Sequence, residues 1–388
     1  MKRSVVPKIV EFLIIAAVLA FMGFVAMVMT ALMGGELFYT PLTVVITAAI
    51  IVFIGIGMFT SIRKQKLYLS LAGFFLLCGL TVASYEGYEA YVASIPSVSE
   101  QDFDLQEYKP FREQTKVKSL DEPSTLTLHS DLPRLDGATA LYPLYAAFAQ
   151  AVYPKKDYDL YEGEVMANTT PEAYENLMDG RVDIIFVAGP SEQQLEAAKA
   201  RGVELKLTPI GREAFVFFVH AENPVSGLTT EQIRSIYSGT VTNWSQVGGK
   251  PASIRAFQRP ENSGSQTMLQ KVMGNAPIMP APKEDIATGM GGIISQTADY
   301  KNYENAIGYS FLYFATEMVQ NGNIRLLEVD GVMPSKTSIR NGTYPLAAEF
   351  YAVTAGSDNP NVERFLQWIL SPQGQSLVEK TGYTPVSG

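Results

Sequence analysis

The residues best suited to chemistry lie in the run Arg259-Pro260-Glu261-Asn262-Ser263-Gly264-Ser265. Arg259 carries a permanent positive charge on a planar fork of donors. Ser263, Gly264 and Ser265 stand where the following residues, to Met273, predict a helix start, and the first backbone N–H groups of a helix lack intrahelical partners. Gly264 lets that backbone approach a guest closely, and the two serines add hydroxyl donors. A helix start with free N–H groups beside a guanidinium is, in outline, a site for a tetrahedral oxyanion. The alternative is that Ser263 only caps the helix while Arg259 makes a surface ion pair. Thr139 stands at a second predicted helix start, after a short strand and the turn at Gly137 and before a helix over 141–152. There its hydroxyl and the following amides would point at a guest, a plain capped helix being the alternative.

The elements that must position these groups alternate. Residues 164–166 read as a strand, and Thr169 or Thr170 then caps a helix with Pro171 at its first position, ending near Asp179-Gly180. Residues 182–188 are a mostly apolar run, as expected of a strand buried on both faces. Ser191-Glu192-Gln193-Gln194 is a capping box. A further buried strand covers 213–220, with His220 at its end as a structural residue in preference to a ligand. Thr229 or Thr230 caps a helix ending at Gly239, and Trp244 is a packing anchor in a turn-rich segment. Residues 254–257 lead into the Arg259 stretch. Gly289 to Gly292 mark a loop, 306–310 a strand, 344–353 a strand returning to the first part of the fold, and 360–370 and 372–381 helices. Strand–helix alternation of this kind predicts an α/β architecture with a parallel sheet.

Charge is spread unevenly over the 388 residues. Residues 1–85 hold six basic and two acidic residues, a net +4, so the remainder carries −13 of the total −9. An acidic remainder argues against nucleic acid as partner. It also means that an anion site must work through local dipoles. Apolar runs at 12–33, 41–60 and 67–82 are long enough to cross a bilayer, the third once extended to Tyr85. A cleaved signal peptide is the alternative for the first, but a second apolar run follows after only seven residues. Lys2, Arg3 and Lys8 precede the first run, and Arg63, Lys64 and Lys66 lie between the second and third. The positive-inside bias puts these in the cytoplasm and everything after Tyr85 outside the cell membrane. Residues 86–130 are polar and acidic and read as an extracytoplasmic tether, although Phe103, Tyr108 and Phe111 suggest that part of it packs on the domain. The only cysteine, Cys78, lies in the third run, so no disulfide, cysteine nucleophile or cysteine metal site is expected outside. With only His129 and His220 beside abundant carboxylates, no nucleophile–base pair stands out; neither catalytic residues, cofactor nor metal are expected.

Five stretches in order resemble the phosphate-binding proteins of ABC transporters, within the type 2 periplasmic-binding-protein superfamily. They are Asp136-Gly137-Ala138-Thr139 before a Tyr-Pro-Leu helix, 228–249 with its Tyr-Ser-Gly and Asn-Trp elements, 259–265, Tyr344-Pro345-Leu346, and the ending 365–383. The resemblance covers most of 131–388 and implies two α/β lobes joined by two crossing segments, with the ligand in the cleft. Lobe 1 would take about 131–210 and 345–388, lobe 2 about 211–344. Thr139 and the amide of Ala140 would donate from one helix start and Thr169 or Thr170 from a second. Arg259, Ser263, Gly264 and Ser265 would close over the anion from the other lobe. One departure stands out. Many such proteins have an aspartate just after the strand equivalent to 183–187, where it accepts the proton of hydrogen phosphate. Here that place reads Ala188-Gly189-Pro190-Ser191, which leaves phosphate against sulfate open unless Glu261 or Asp136 supplies the acceptor. The implied role is an anchored binding protein delivering phosphate or a similar oxyanion to an ABC permease. The alternatives are an anchored sensor read by a membrane partner and, more remotely, a hydrolase.

Overall fold

A computed structural model describes residues 6–35, 38–95, 97–98, 104–280, 300–318 and 323–386. Its contacts separate the first 94 residues from the described residues after them. In the first unit, α1 (Val6–Leu32), α2 (Tyr39–Phe59) and α3 (Lys64–Ser94) are each long and apolar enough to span a membrane. Helices α1 and α2 run antiparallel, Phe12 meeting Phe59 edge-on with ring centroids 5.5 Å apart. They touch closely at Gly23, where a Cβ would lie 2.4 Å from Thr47 Cγ2, the small-residue contact that apolar helices use in lipid. Helix α3 continues nine residues beyond Tyr85. Pro96 is the first proline to follow, and the residue before a proline is pushed out of the helical region.

The second unit is a mixed α/β fold. Its main sheet contains β1 (Leu135–Gly137), β2 (Ile184–Ala188), β3 (Lys206–His220), β4 (Arg255–Ala256), β5 (Ala306–Phe311), β6 (Ile324–Leu326), β7 (Ala347–Thr354) and β8 (Thr384–Pro385). The order is β1-β2-β7-β3-β5-β4, with β6 and β8 also paired to β3. Only β1–β2 and β4–β5 are parallel, so the sheet is mixed where the strand–helix alternation predicted a parallel one. Every other pairing is antiparallel and involves β3 or β7.

Strand β3 is fifteen residues long, nearly twice the predicted 213–220. Its first half, to Ala214, pairs with β7; from Phe215 on it pairs with β5. It therefore leaves one lobe and enters the other within a single strand, and the chain returns at 344–347. The two crossings are tied where they pass, Phe215 N donating to Leu346 O at 3.0 Å and the Tyr344 hydroxyl to Phe215 O at 3.0 Å.

In lobe 1, α4 (Tyr142–Val152), α5 (Thr170–Met178) and α6 (Glu192–Ala200) precede the crossing. In lobe 2, α7 (Thr230–Tyr237) packs on α8 (Gly264–Met273), α8 on β5, and α9 (Lys336–Arg340) on β3 and β8; α10 (Val362–Ile369) and α11 (Pro372–Thr381) complete lobe 1. Lobe 2 is built on Phe217, Tyr237, Trp244, Leu269 and Tyr309, with Trp244 the expected anchor and its indole N–H donating to Asn305 O. Lobe 1 is built on Tyr145, Phe148, Phe186, Phe365 and Trp368. Tyr108, Val117 and Leu128 are buried in the same cluster, so the stretch read as a tether is, from Asp104, packed against the folded domain. Its burial comes from scattered apolar residues without helical or strand period, which is why it reads as linker. The loop expected at Gly289 to Gly292 lies outside the described residues.

Candidate functional site

Thr139 and Ala140 follow the carboxyl end of β1, Thr169 and Thr170 follow Val165, which bridges Leu135 of β1 in parallel, and the Arg259 loop follows the carboxyl end of β4. In open α/β sheets the crevice beyond these ends is where ligands bind. One carboxylate organises the lobe 1 side. Asp136 is fully buried at the heart of β1 and accepts four hydrogen bonds. Oδ1 takes the Gly137 and Asn168 amides at 2.8 and 2.9 Å; Oδ2 takes the side-chain amides of Asn168 and Asn176 at 2.9 and 2.8 Å. That ties the end of β1 to the loop that starts α5. Gly137 is required here, since a Cβ would lie 2.4 Å from Phe186 O on the neighbouring strand. With four partners for about four lone-pair sites, Asp136 has nothing left to offer an anion.

The neighbouring threonines Thr169 and Thr170 separate. Thr169 is the N-cap of α5 in a reciprocal box with Glu172, and it is exposed. Thr170 is the buried one, 8% exposed. A Cβ built on Gly264 would lie 3.6 Å from Thr170 Oγ1 and 3.5 Å from Ala188 Cβ. The start of α8 in lobe 2 therefore faces the start of α5 and the end of β2 in lobe 1. Ser263 caps α8 by accepting from the Gln266 amide at 3.2 Å. The amides of Gly264 and Ser265 have no such cap and form the open first turn of the helix. The Ser265 side chain is buried at the same end.

Thr139 differs from expectation. It begins a 3-10 turn, Thr139–Leu141, that runs directly into α4, and neither Thr139 nor any other side chain caps that helix. Pro143 in the first turn already fixes the helical entry. The Ala138 amide is taken by Phe186 O at 2.9 Å, leaving the amides of Thr139 and Ala140 as the uncapped donors of the turn. The Ala140 carbonyl accepts from the Tyr383 hydroxyl. The Arg259 backbone is held by Gln266 Oε1 at 3.1 Å and the Tyr309 hydroxyl at 2.8 Å, and Tyr309 also donates to Gln266. The backbone of the Arg259 loop is thus pinned to α8 and β5. His220 accepts from the Glu222 amide through Nδ1 in a local turn, and among the described residues no group of three His, Cys, Asp or Glu is placed to hold a metal.

Residues 129–373 match the PBP superfamily domain, well over half of the chain. The chain belongs to the PBP superfamily. Among curated relatives, the phosphate-binding protein PstS of Bacillus subtilis is 26% identical over 259 residues, covering 65% of this chain and 80% of the relative. PstS of Pseudomonas aeruginosa is 25% identical over 279 residues, covering 65% and 81%. Among solved structures, a putative phosphate ABC transporter substrate-binding protein with bound phosphate from Clostridium perfringens is 25% identical. It covers 66% of this chain and 99% of its own, with a TM-score of 0.48.

The place after β2, where the family resemblance implies an acceptor, holds a cation instead. A Cβ on Gly189 would lie 2.8 Å from Lys271 Nζ, so the ammonium from α8 rests over the glycine. Desolvation lowers the Lys271 pKa from its ordinary value. Neither carboxylate considered as a substitute fills the gap. Asp136 is saturated, and Glu261, exposed, accepts from Gln270 at 3.0 Å.

Three residues not foreseen from sequence join the lobes beside the site: Ser191, Gln193 and Gln194 of lobe 1 all meet Asn262 of the Arg259 loop. The capping box around Ser191 was legible; that its groups also face another lobe is information only the fold carries.

Proposed function

We propose that the chain is an extracytoplasmic receptor for phosphate or a similar tetrahedral oxyanion, held to the membrane by three helices and delivering its ligand to an ABC permease. The carrying observation is the apposition of the two helix starts, with the first turn of α8 facing Thr170 across the cleft. Thr139, Ala140, Thr170, Gly264, Ser265 and Arg259 then supply donors, with Ser263 shaping the turn and Thr169 capping α5. Opposed helix starts and a guanidinium stabilise an anion through local N–H groups and dipoles even in a net-acidic domain. The names borne by the curated relatives support phosphate as ligand. A donor-rich cleft with Lys271 at its edge also admits sulfate, since no unpaired carboxylate among those considered repels a fully ionised oxygen.

The permanent anchor supports a second reading, a receptor whose lobe closure is sensed by a membrane partner. Both readings describe a binding protein, not an enzyme. The test is titration calorimetry on the full chain in detergent, phosphate against sulfate, repeated with Arg259→Ala. Phosphate binding weakened at least tenfold in the variant is expected, that being about 1.4 kcal/mol for a lost charged hydrogen bond. Binding of neither anion by the unaltered chain would sink the oxyanion reading. Phosphate uptake in cells lacking the protein then separates the readings: reduced uptake marks delivery, unchanged uptake sensing.

A further inference from the structure

Asn262 sits on the binding loop with φ +63°, in the left-handed region that non-glycine residues seldom occupy. Three hydrogen bonds cross from it to the amino end of α6 in lobe 1. Its Oδ1 accepts from the Ser191 hydroxyl at 2.8 Å, its Nδ2 donates to Gln193 Oε1 at 2.9 Å, and its carbonyl accepts from Gln194 Nε2 at 3.2 Å. Ser191 and Gln194 are buried and already joined in their own capping box, Ser191 Oγ accepting from the Gln194 amide at 3.1 Å. The lobe 1 half is therefore rigid, and the Asn262 amide completes it with one acceptor and one donor in the required places.

We propose that Asn262 is a latch: its side chain holds the lobes closed and thereby sets how long a ligand stays in the cleft. The physical ground is position. Asn262 lies between Arg259 and Gly264, so the loop that meets the ligand is the loop that meets the other lobe. Opening the cleft must break all three bonds, whereas entry of a ligand into an open cleft breaks none. The latch thus acts on release and leaves capture nearly untouched. The strained backbone at Asn262 is consistent with this, because left-handed residues persist where the surroundings over-determine them. The kinetic consequence rests on the oxyanion reading above; the closure itself does not.

Asn262→Gly is the informative variant. Glycine adopts φ +63° without strain, so the loop keeps its path while the two side-chain bonds vanish. Two measurements on the full chain test the latch. The first is the distance distribution between spin labels on Glu196→Cys in α6 and Glu231→Cys in α7, with Cys78→Ala, recorded without anion. The latch predicts a shift to longer distances on adding Asn262→Gly; superimposable distributions overturn it, whatever the ligand proves to be. The second is phosphate exchange by stopped flow. Dissociation about tenfold faster with association within about twofold is expected, two neutral hydrogen bonds being worth about that factor. Ser191→Ala added to Asn262→Gly should change dissociation little, since the bond between the lobes is already gone, while the lost cap of α6 lowers stability. Unchanged dissociation, or a loss carried by association, overturns the latch. A chain that binds neither phosphate nor sulfate but opens in the first measurement retains the latch and refutes the oxyanion reading.

Discussion

Thr169 and Thr170 carry the same hydroxyl on adjacent positions, and the fold gives them different work. Thr169 closes a box on its own helix with Glu172, while Thr170 is buried against the start of α8. Thr169→Ala should therefore cost roughly 1 kcal/mol of stability, the usual loss of an N-cap, with phosphate affinity within about twofold. Thr170→Ala should do the reverse, weakening phosphate about tenfold by the loss of one donor in a dry site while the melting temperature barely moves. Calorimetry and thermal melts on the pair decide it; equal effects from both would show that Thr170 does not face the ligand. The sequence leaves the two threonines interchangeable, since either fits the pattern before Pro171. Thr139 was legible as a residue at a helix start but misplaced as its cap. The helix start at Ser263 and Gly264 was legible because a capping serine and a glycine at adjacent positions constrain the chain locally.

Among the elements, β3 departs furthest from its reading. Residues 206–212 contain Lys206, Pro209, Gly211 and Arg212, which hide a strand, yet they pair with β7 across a register shift between Phe350 and Tyr351. A bulge tolerates Pro209, which cannot donate to the ladder. Gly211 leaves room for Phe350, whose ring atom would lie 2.2 Å from a Cβ there. The capping box of α6, the threonine starts of α5 and α7 and the buried run of β2 were legible because each depends on neighbours in sequence; the crossing depends on partners more than a hundred residues away. On this strand, at the change of partner, Glu213 is buried and burial pushes its carboxyl from 4.5 up to about 8. Hydrogen bonds from the Ala214 and Tyr313 amides and the charge of Lys336 pull the other way without prevailing. The folded chain keeps this proton where the unfolded chain releases it. Its contribution to stability is thus fully present below about pH 4.5 and drains away as pH rises through 8. Chemical denaturation across that window should show the decline, and Glu213→Gln should flatten it; an unchanged slope would mean the carboxyl is ionised in the fold.

For the whole molecule, the boundary of the binding domain matters more than the positions of its lobes. Tyr108, Val117 and Leu128 lie in the lobe 1 core although they precede the first strand of the main sheet. A chain starting at residue 131 exposes the surface they cover. At about 1.5–3 kcal/mol per buried apolar side chain, the loss is on the order of 5 kcal/mol, comparable with the whole stability of an ordinary domain. A chain starting at residue 104 should melt cooperatively and one starting at 131 should aggregate or melt far lower; equal melting temperatures would return the segment to linker status. The four bonds into Asp136 have a consequence of another kind, for genetics. A screen for variants that no longer capture their solute should return Asp136 as readily as Thr170, because freeing Gly137, Asn168 and Asn176 lets the cleft wall drift. Anyone charting the ligand from such a screen would draw a carboxylate against the anion, and the error would be invisible until the lone pairs were counted.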